Sequence, residues 1–156
     1  MGDGPGRQRD DEDGQVTIQI ESKHFKAKEL RCKHCGRGGV KAELLEVLED
    51  LRAKAGPIVI NSGYRCASHP IEAAKLKPGF HNQGLAADIK ALNCDLKRLY
   101  EFIRQDGRIK GIGVDHQSWY IHIDLREAVV PVTWKYVDGR AVVVADPFVR
   151  SGAGRG

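Results

Sequence analysis

The chain has 156 residues, of which 41% are hydrophobic and 29% charged, a balance typical of one globular domain and not of a disordered chain. Its net charge is 25 − 21 = +4, and the excess is too small and too spread out to indicate nucleic-acid binding. No apolar run approaches the ~18 residues of a membrane-spanning helix, so we expect no membrane association of that kind.

The first fifteen residues contain five acidic side chains, two arginines and no apolar core segment. Such a segment buries too little apolar surface to offset the conformational entropy lost on ordering, so we predict a flexible acidic arm. It also lacks the apolar region of a secretory signal peptide, and we therefore expect synthesis in the cytoplasm without a signal peptide.

The hydrophobic pattern then predicts two helices among short strands. Apolar residues recur at helical spacing over 40–55, and Gly56 followed by Pro57 ends that helix. Asp95 caps a second predicted helix over 96–105. Alternating or β-branched runs predict the strands, which lie at residues 16–20, 58–61, 85–91, 109–114, 119–125, 133–137 and 140–144.

These elements indicate an α+β fold in which two main helices pack on a small antiparallel or mixed sheet. The Asp-Gly pair between the last two strands is a strong hairpin signal. We divide the chain into the arm (1–15), a main domain (16–128), a C-terminal hairpin extension (129–150) and a loose tail (151–156). The connection over 62–80 is long, and such connections in compact domains are more often functional than idle.

The strand over 119–125 has two different faces, because side chains alternate along a strand. Trp119, Ile121 and Ile123 are expected to face the core. The opposite face carries three polar side chains, namely Tyr120, His122 and Asp124. Burying such groups is costly without a purpose, so this face is either a satisfied polar surface or a metal-binding or catalytic face.

A second cluster of polar residues comes just before and within the strand over 85–91. His81 precedes a predicted turn with Gly84, and Asp88 lies on the opposite strand face from its apolar neighbours. A turn that folds back brings His81 near Asp88, and His122 is then able to join them. Two nitrogen ligands and one oxygen ligand with an open fourth position are typical of a catalytic zinc site on a sheet face.

At these residues the sequence resembles the zinc peptidase family of D-alanyl-D-alanine carboxypeptidases and L-alanyl-D-glutamate endopeptidases. That family includes phage endolysins and shares its metal fold with the hedgehog signalling domain. Four ordered motifs carry the resemblance, which spans most of the chain. They are SxHxxGxAxD at 79–88 (except its first position), GIGxY…FVHVDxR at 111–114 and 121–126, SGYR at 62–65, and FxxxExxCxxCG at 25–36.

The resemblance implies that His81, Asp88 and His122 are the zinc ligands. It also implies that Arg65 holds the negative charge that develops on the scissile carbonyl, a role suited to a fixed guanidinium. Three further side chains are expected to shape the substrate groove: Ser62, Tyr64 and Tyr120.

Two positions depart from the family pattern. Many members have an acid three residues before the last zinc histidine, where this chain has Trp119. Asp115, His116 and Asp124 are the nearby substitutes, and we favour Asp115 as the general base, whereas Asp124 alternatively orients a neighbouring group. Gly79 stands where a serine is usual. Both departures favour a metal site that is retained while catalysis is slow or absent.

The four cysteines do not form a disulfide framework in a chain without a signal peptide. One CxxC, from Cys32 to Cys35, is a weak signal for a zinc knuckle. Cys66 and Cys94 can complete such a metal site only if the fold brings them close to this pair. We favour reduced or locally paired structural cysteines over a second metal, and interpret His34 as a surface histidine.

The leading functional hypothesis is a zinc-dependent peptidase that cleaves peptidoglycan stem peptides, as a carboxypeptidase or an endopeptidase. A wall hydrolase without a signal peptide must leave a bacterial cytoplasm by another route, so we expect a phage origin, with action at the cell wall after release or as part of a virion. The alternative is an inactive metal-binding module that docks on a phage capsid or tail protein through the arm or the hairpin. A nucleic-acid binder is a weaker third reading.

Overall fold

The computed structural model of the protein describes residues 6–10, 16–75 and 79–149. The helices within these ranges are α1 (Ala27–Leu30), α2 (Ala42–Ala55), α3 (Pro70–Ala73) and α4 (Leu96–Gln105). The strands are β1 (Gly6–Asp10), β2 (Val16–Ile20), β3 (Ile58–Ser62), β4 (Ala86–Ala91), β5 (Gly111–Asp115), β6 (Tyr120–Asp124), β7 (Val132–Val137) and β8 (Arg140–Val143).

Six of the strands form one mixed sheet in the order β3-β4-β6-β5-β7-β8. Neighbouring strands run antiparallel except β5 and β7, which run parallel. The predicted α+β fold with a small mixed sheet is therefore confirmed. The predicted C-terminal hairpin is β7–β8, and it continues this sheet at one edge.

Local signals explain where the two long helices begin and end. The Asp95 carboxylate accepts a hydrogen bond of 2.8 Å from the Arg98 backbone N–H, which caps α4 as predicted. Helix α2 begins at Ala42, two residues later than predicted, and ends at Ala55, as predicted. The next residue, Gly56, has a φ of +83°, which lies in the left-handed region that glycine tolerates best.

The hydrophobic core lies between the two long helices and one face of the sheet. Ile89, Ile112, Ile121 and Ile123 are fully buried on that face and belong to the same cluster as the apolar residues of α2 and α4. Because strand side chains alternate, the residues between these core positions, among them Asp88, Gly113 and His122, face the other side. The core thus fixes which side chains are available for a site.

The structure differs from the sequence predictions in the turn before β6 and over Ala27–Leu30. The prediction that Trp119 faces the core is wrong: it lies in the turn before β6 with φ +56°, and it is 58% exposed. A short helix, α1, forms where the sequence predicted neither a helix nor a strand. Residues 6–10 of the predicted arm pair with β2, whereas 1–5, 11–15 and the tail 151–156 lie outside the described residues, so the division into arm, domain and tail stays a prediction.

In the part of the chain that the structure describes, every helix is too short or too polar to cross a lipid bilayer.

Candidate metal and catalytic site

Three buried polar side chains meet on the sheet face opposite the core. Asp88 of β4 is the register partner of His122 of β6, which places both side chains next to each other on that face. His81 reaches them from the turn before β4, where Gly84 adopts φ +78° and packs against the Gly39 carbonyl so closely that a Cβ would lie 1.9 Å from its oxygen. The turn therefore requires glycine at position 84.

The three side chains point one donor atom each at a common position. His81 Nε2 lies 3.3 Å and His122 Nδ1 lies 3.0 Å from Asp88 Oδ1, and the three donor atoms all lie within 4.8 Å of one another. All three residues are buried. This is the convergence that the sequence predicted for His81, Asp88 and His122.

The far nitrogen of each imidazole is held by a fixed acceptor. His81 Nδ1 lies 2.8 Å from the Gly63 carbonyl oxygen, and His122 Nε2 lies 2.7 Å from Asp124 Oδ2. A carbonyl oxygen only accepts, so a hydrogen of His81 sits on Nδ1, and Nε2 is the nitrogen that faces Asp88. The same reasoning places a hydrogen of His122 on Nε2, because the ionised Asp124 accepts it, so Nδ1 is the nitrogen that faces Asp88.

Asp124 is ionised because it is doubly paired although fully buried. Arg126 donates to Asp124 Oδ1 through Nε and to Oδ2 through Nη2, each at 2.8 Å. Burial would raise the pKa of Asp124, but hydrogen bonds from Arg126 and His122 outweigh it and hold that pKa well below its ordinary value. Burial likewise opposes the charged form of His122, yet Asp124 and Asp88 raise its pKa above the ordinary value.

Two glycines on β5 make room for this arrangement. A Cβ on Gly111 would lie 2.2 Å from Asp124 Oδ1, and a Cβ on Gly113 would lie 2.2 Å from Trp134 Nε1. The parallel pairing of β5 with β7 puts Gly113 opposite Trp134. The Trp134 ring consequently lies over the site, with its centroid 5.4 Å from that of His122.

The hairpin thus contributes a wall of the site through Trp134 and Tyr136. The sequence did not predict this role for either residue. The guanidinium of Arg126 lies 5.1 Å from the Trp134 ring centroid, and it also stacks on Phe80. Tyr120 lies beside Tyr136, with ring centroids 6.2 Å apart. Burial and the nearby Asp88 charge raise the pKa of Tyr120, which keeps its hydroxyl protonated.

Arg65 approaches the other carboxylate oxygen of the same cluster. Its Nη2 lies 3.3 Å from Asp88 Oδ2, and its Nε donates to Ser62 Oγ at 3.2 Å. Ser62 therefore holds the arginine in place. The ring of Tyr64 packs against Gly39, where a Cβ would lie 2.3 Å from the ring.

The sequence did not predict a role for Glu72, a buried acid near Arg65. Glu72 of α3 accepts hydrogen bonds of 3.0 Å from Lys75 Nζ and from the Gly79 backbone N–H, and lies 3.9 Å from Arg65 Nη1. A Cβ on Gly79 would lie 2.5 Å from Lys75 Nζ and 3.2 Å from Glu72 Oε1. A side chain at position 79 would therefore displace the end of the flexible Lys75 side chain. No sequence periodicity points to Glu72, because it lies within the long connection.

Asp115 and Asp124, the two candidate bases, differ in their surroundings. Asp115 stands at the end of β5, partly exposed, and its Oδ1 accepts from the backbone N–H groups of Gln117 and Ser118 at 3.0 and 2.8 Å. Both oxygens of Asp124 are held by Arg126 or His122, and the residue is 0% exposed. Only Asp115 keeps an oxygen without a described partner and access to solvent.

One family model matches the region of the chain that carries the site. The family model described as Peptidase M15 matches residues 23–124, about two thirds of the chain. The matched region includes every proposed ligand and ends at Asp124. No curated protein matches the chain.

Proposed function

The chain belongs to the Peptidase M15 family, the zinc D-Ala-D-Ala carboxypeptidase family, and on that premise we propose that it is a zinc-dependent peptidase cleaving peptidoglycan stem peptides. The observation that carries this proposal is the convergence of His81 Nε2, Asp88 Oδ1 and His122 Nδ1 within 4.8 Å, with both outer imidazole nitrogens already held.

The donor set fits zinc. Catalytic zinc sites commonly use three protein ligands of the imidazole and carboxylate kinds and leave the fourth position to water or substrate. His81, Asp88 and His122 would hold the ion, which when bound polarises the scissile carbonyl and lowers the pKa of a coordinated water. Gly63 and Asp124 orient the two imidazoles, so the ligands are positioned before any metal binds.

Arg65 is proposed to hold the negative charge that develops on the carbonyl oxygen. Its guanidinium is fixed from two sides, by Ser62 Oγ and by Asp88, and its side chain is 13% exposed. A cation held in this way requires little reorganisation when charge develops. Tyr120 and Tyr64 are proposed to shape the groove for the substrate peptide.

Asp115 is proposed as the general base. A base must reach the attacking water and later return the proton to the leaving amine, which requires an accessible carboxylate oxygen. Asp115 projects from the same sheet face as the ligands, at the register partner of Tyr120. Asp124 is proposed as a positioning residue, because its two oxygens are already occupied by Arg126 and His122.

The test is digestion of purified muropeptides by the zinc-loaded full chain, followed by mass spectrometry. Loss of the terminal D-alanine identifies a carboxypeptidase, whereas cleavage between L-alanine and D-glutamate identifies an endopeptidase. His122→Ala should abolish product, and the surface variant His24→Ala serves as the matched control that retains it. Product from metal-free protein, or from His122→Ala at the wild-type rate, would refute the proposal.

A metal-binding module without catalysis is the second candidate, favoured by Trp119 at the position where many family members have an acid. Stoichiometric zinc with no product from any muropeptide would identify that function. The proposed phage source, and docking on a capsid or tail protein through the arm or hairpin, would then become the next hypothesis to test.

A further inference from the structure

Three cysteines that the proposed mechanism does not use lie together beside Arg65. The Sγ atoms of Cys32, Cys35 and Cys66 are all within 4.8 Å of one another. All of them are free thiols, and so is Cys94, which lies outside this group. Cys32 and Cys66 are buried, whereas Cys35 is exposed.

Backbone N–H groups point at two of these sulfurs. Cys32 Sγ accepts from His34 N at 3.4 Å and from Cys66 N at 3.3 Å, and Cys35 Sγ accepts from Arg37 N at 3.4 Å. The turn that carries the first pair is closed by a 2.8 Å hydrogen bond from Cys32 N to the Arg37 carbonyl. These hydrogen bonds hold the sulfurs of Cys32 and Cys35 in place within the group.

We propose that Cys32, Cys35 and Cys66 bind a structural zinc ion, with His34 as the fourth donor. Tetrahedral zinc holds thiolates at about 2.3 Å and therefore about 3.8 Å from each other, which agrees with three sulfurs grouped this closely. His34 Nδ1 lies 3.6 Å from Cys66 Sγ, which makes it the nearest described candidate for the fourth position. A disulfide would use only two of the three sulfurs and leave the third without a partner.

This zinc would join two segments that are distant along the chain. Cys32 and Cys35 follow α1, whereas Cys66 follows β3 and directly adjoins Arg65. The second segment also supplies the Gly63 carbonyl that orients His81. The expected effect, which rests on the proposed function, is that this ion holds Arg65 and His81 in position; the binding of the ion itself does not depend on peptidase activity.

The experiment measures metal content and a spectroscopic signature in the full chain. Wild-type protein prepared in zinc should contain two equivalents, one for each cluster. His122→Ala should keep one, as should Cys35→Ser and Cys66→Ser, whereas the matched control Cys94→Ser should keep both. With Co²⁺ in place of Zn²⁺, wild type and His122→Ala should show the near-ultraviolet sulfur-to-cobalt charge-transfer band, and Cys35→Ser should lose it.

Several outcomes separate this proposal from the function proposed above. Cys35 is exposed, so Cys35→Ser should fold, and circular dichroism checks that it does. His34→Ala should release zinc to a chelator faster than wild type while retaining the charge-transfer band. Absence of that band from folded wild-type protein, or a disulfide within the three cysteines after reducing purification, would overturn the second site. Two bound zinc ions without peptidase product would contradict only the proposed function.

Discussion

Replacing Asp124 with asparagine distinguishes a positioning carboxylate from a catalytic base. The side chain is fully buried and receives hydrogen bonds of 2.7 Å from His122 and 2.8 Å from each of two Arg126 nitrogens. Asparagine keeps the shape and one acceptor but loses the charge that holds the His122 Nε2–H. Groups that orient a metal-ligating histidine in this way typically contribute ~10–100-fold to metal affinity.

We therefore expect Asp124→Asn to weaken zinc binding by that factor. We also expect it to lower the free energy of unfolding by roughly 3 kcal/mol, the lower end for breaking a buried ion pair, since Arg126 keeps partial access to water. Chelator competition measures the affinity and urea denaturation the stability. Asp115→Asn is the matched variant: it should bind zinc like wild type and lose ~10²–10⁴-fold in turnover.

The reverse pattern would refute the assignment. If Asp124→Asn retained wild-type zinc affinity yet lost turnover at saturating zinc, while Asp115→Asn remained active, Asp124 would be the base.

Gly113→Ala should destabilise the protein by about 1–3 kcal/mol in urea denaturation, because its Cβ would displace the Trp134 indole. Gly107→Ala, where nothing lies within 4 Å of an added Cβ, should be neutral or stabilising, and an equal loss in both would contradict the explanation. Burial would raise the pKa of Glu49, but hydrogen bonds from Ser22 and His24 outweigh it and lower that pKa to about 2. The ionised carboxylate therefore stabilises the fold at pH values above its unfolded pKa of ~4.3, and this stabilisation is lost as the pH falls towards 2. Glu49→Gln should cost about 1–2 kcal/mol at pH 7, reduced by solvent screening, and the difference from wild type should shrink at acidic pH. A pH-independent difference would exclude the hydrogen-bonded carboxylate as the cause.

The sequence alone determined the features that depend on near neighbours in the chain. The Asp95 cap and the amphipathic pattern of α4 are local signals, as is the glycine that follows α2 at position 56. These signals predicted the ends of both helices to within a residue or two. Strict alternation in β6 put His122 and Asp124 on one face, and the glycine turn after His81 directed its imidazole back to Asp88. Alternation did not extend to Trp119, because a left-handed turn residue breaks the strand period.

Only the tertiary structure decided which distant segments complete the site. The parallel pairing of β5 and β7 brings Trp134 onto His122, and the packing of α3 brings Glu72 to Arg65 and Gly79. Neither has a periodic signal, because both depend on how remote strands and loops pack against each other. The same is true of Cys66, which lies more than thirty residues beyond Cys32 and meets it only because β3 ends beside α1. Local rules determine which face a side chain occupies, whereas the partner that it meets there depends on long-range packing.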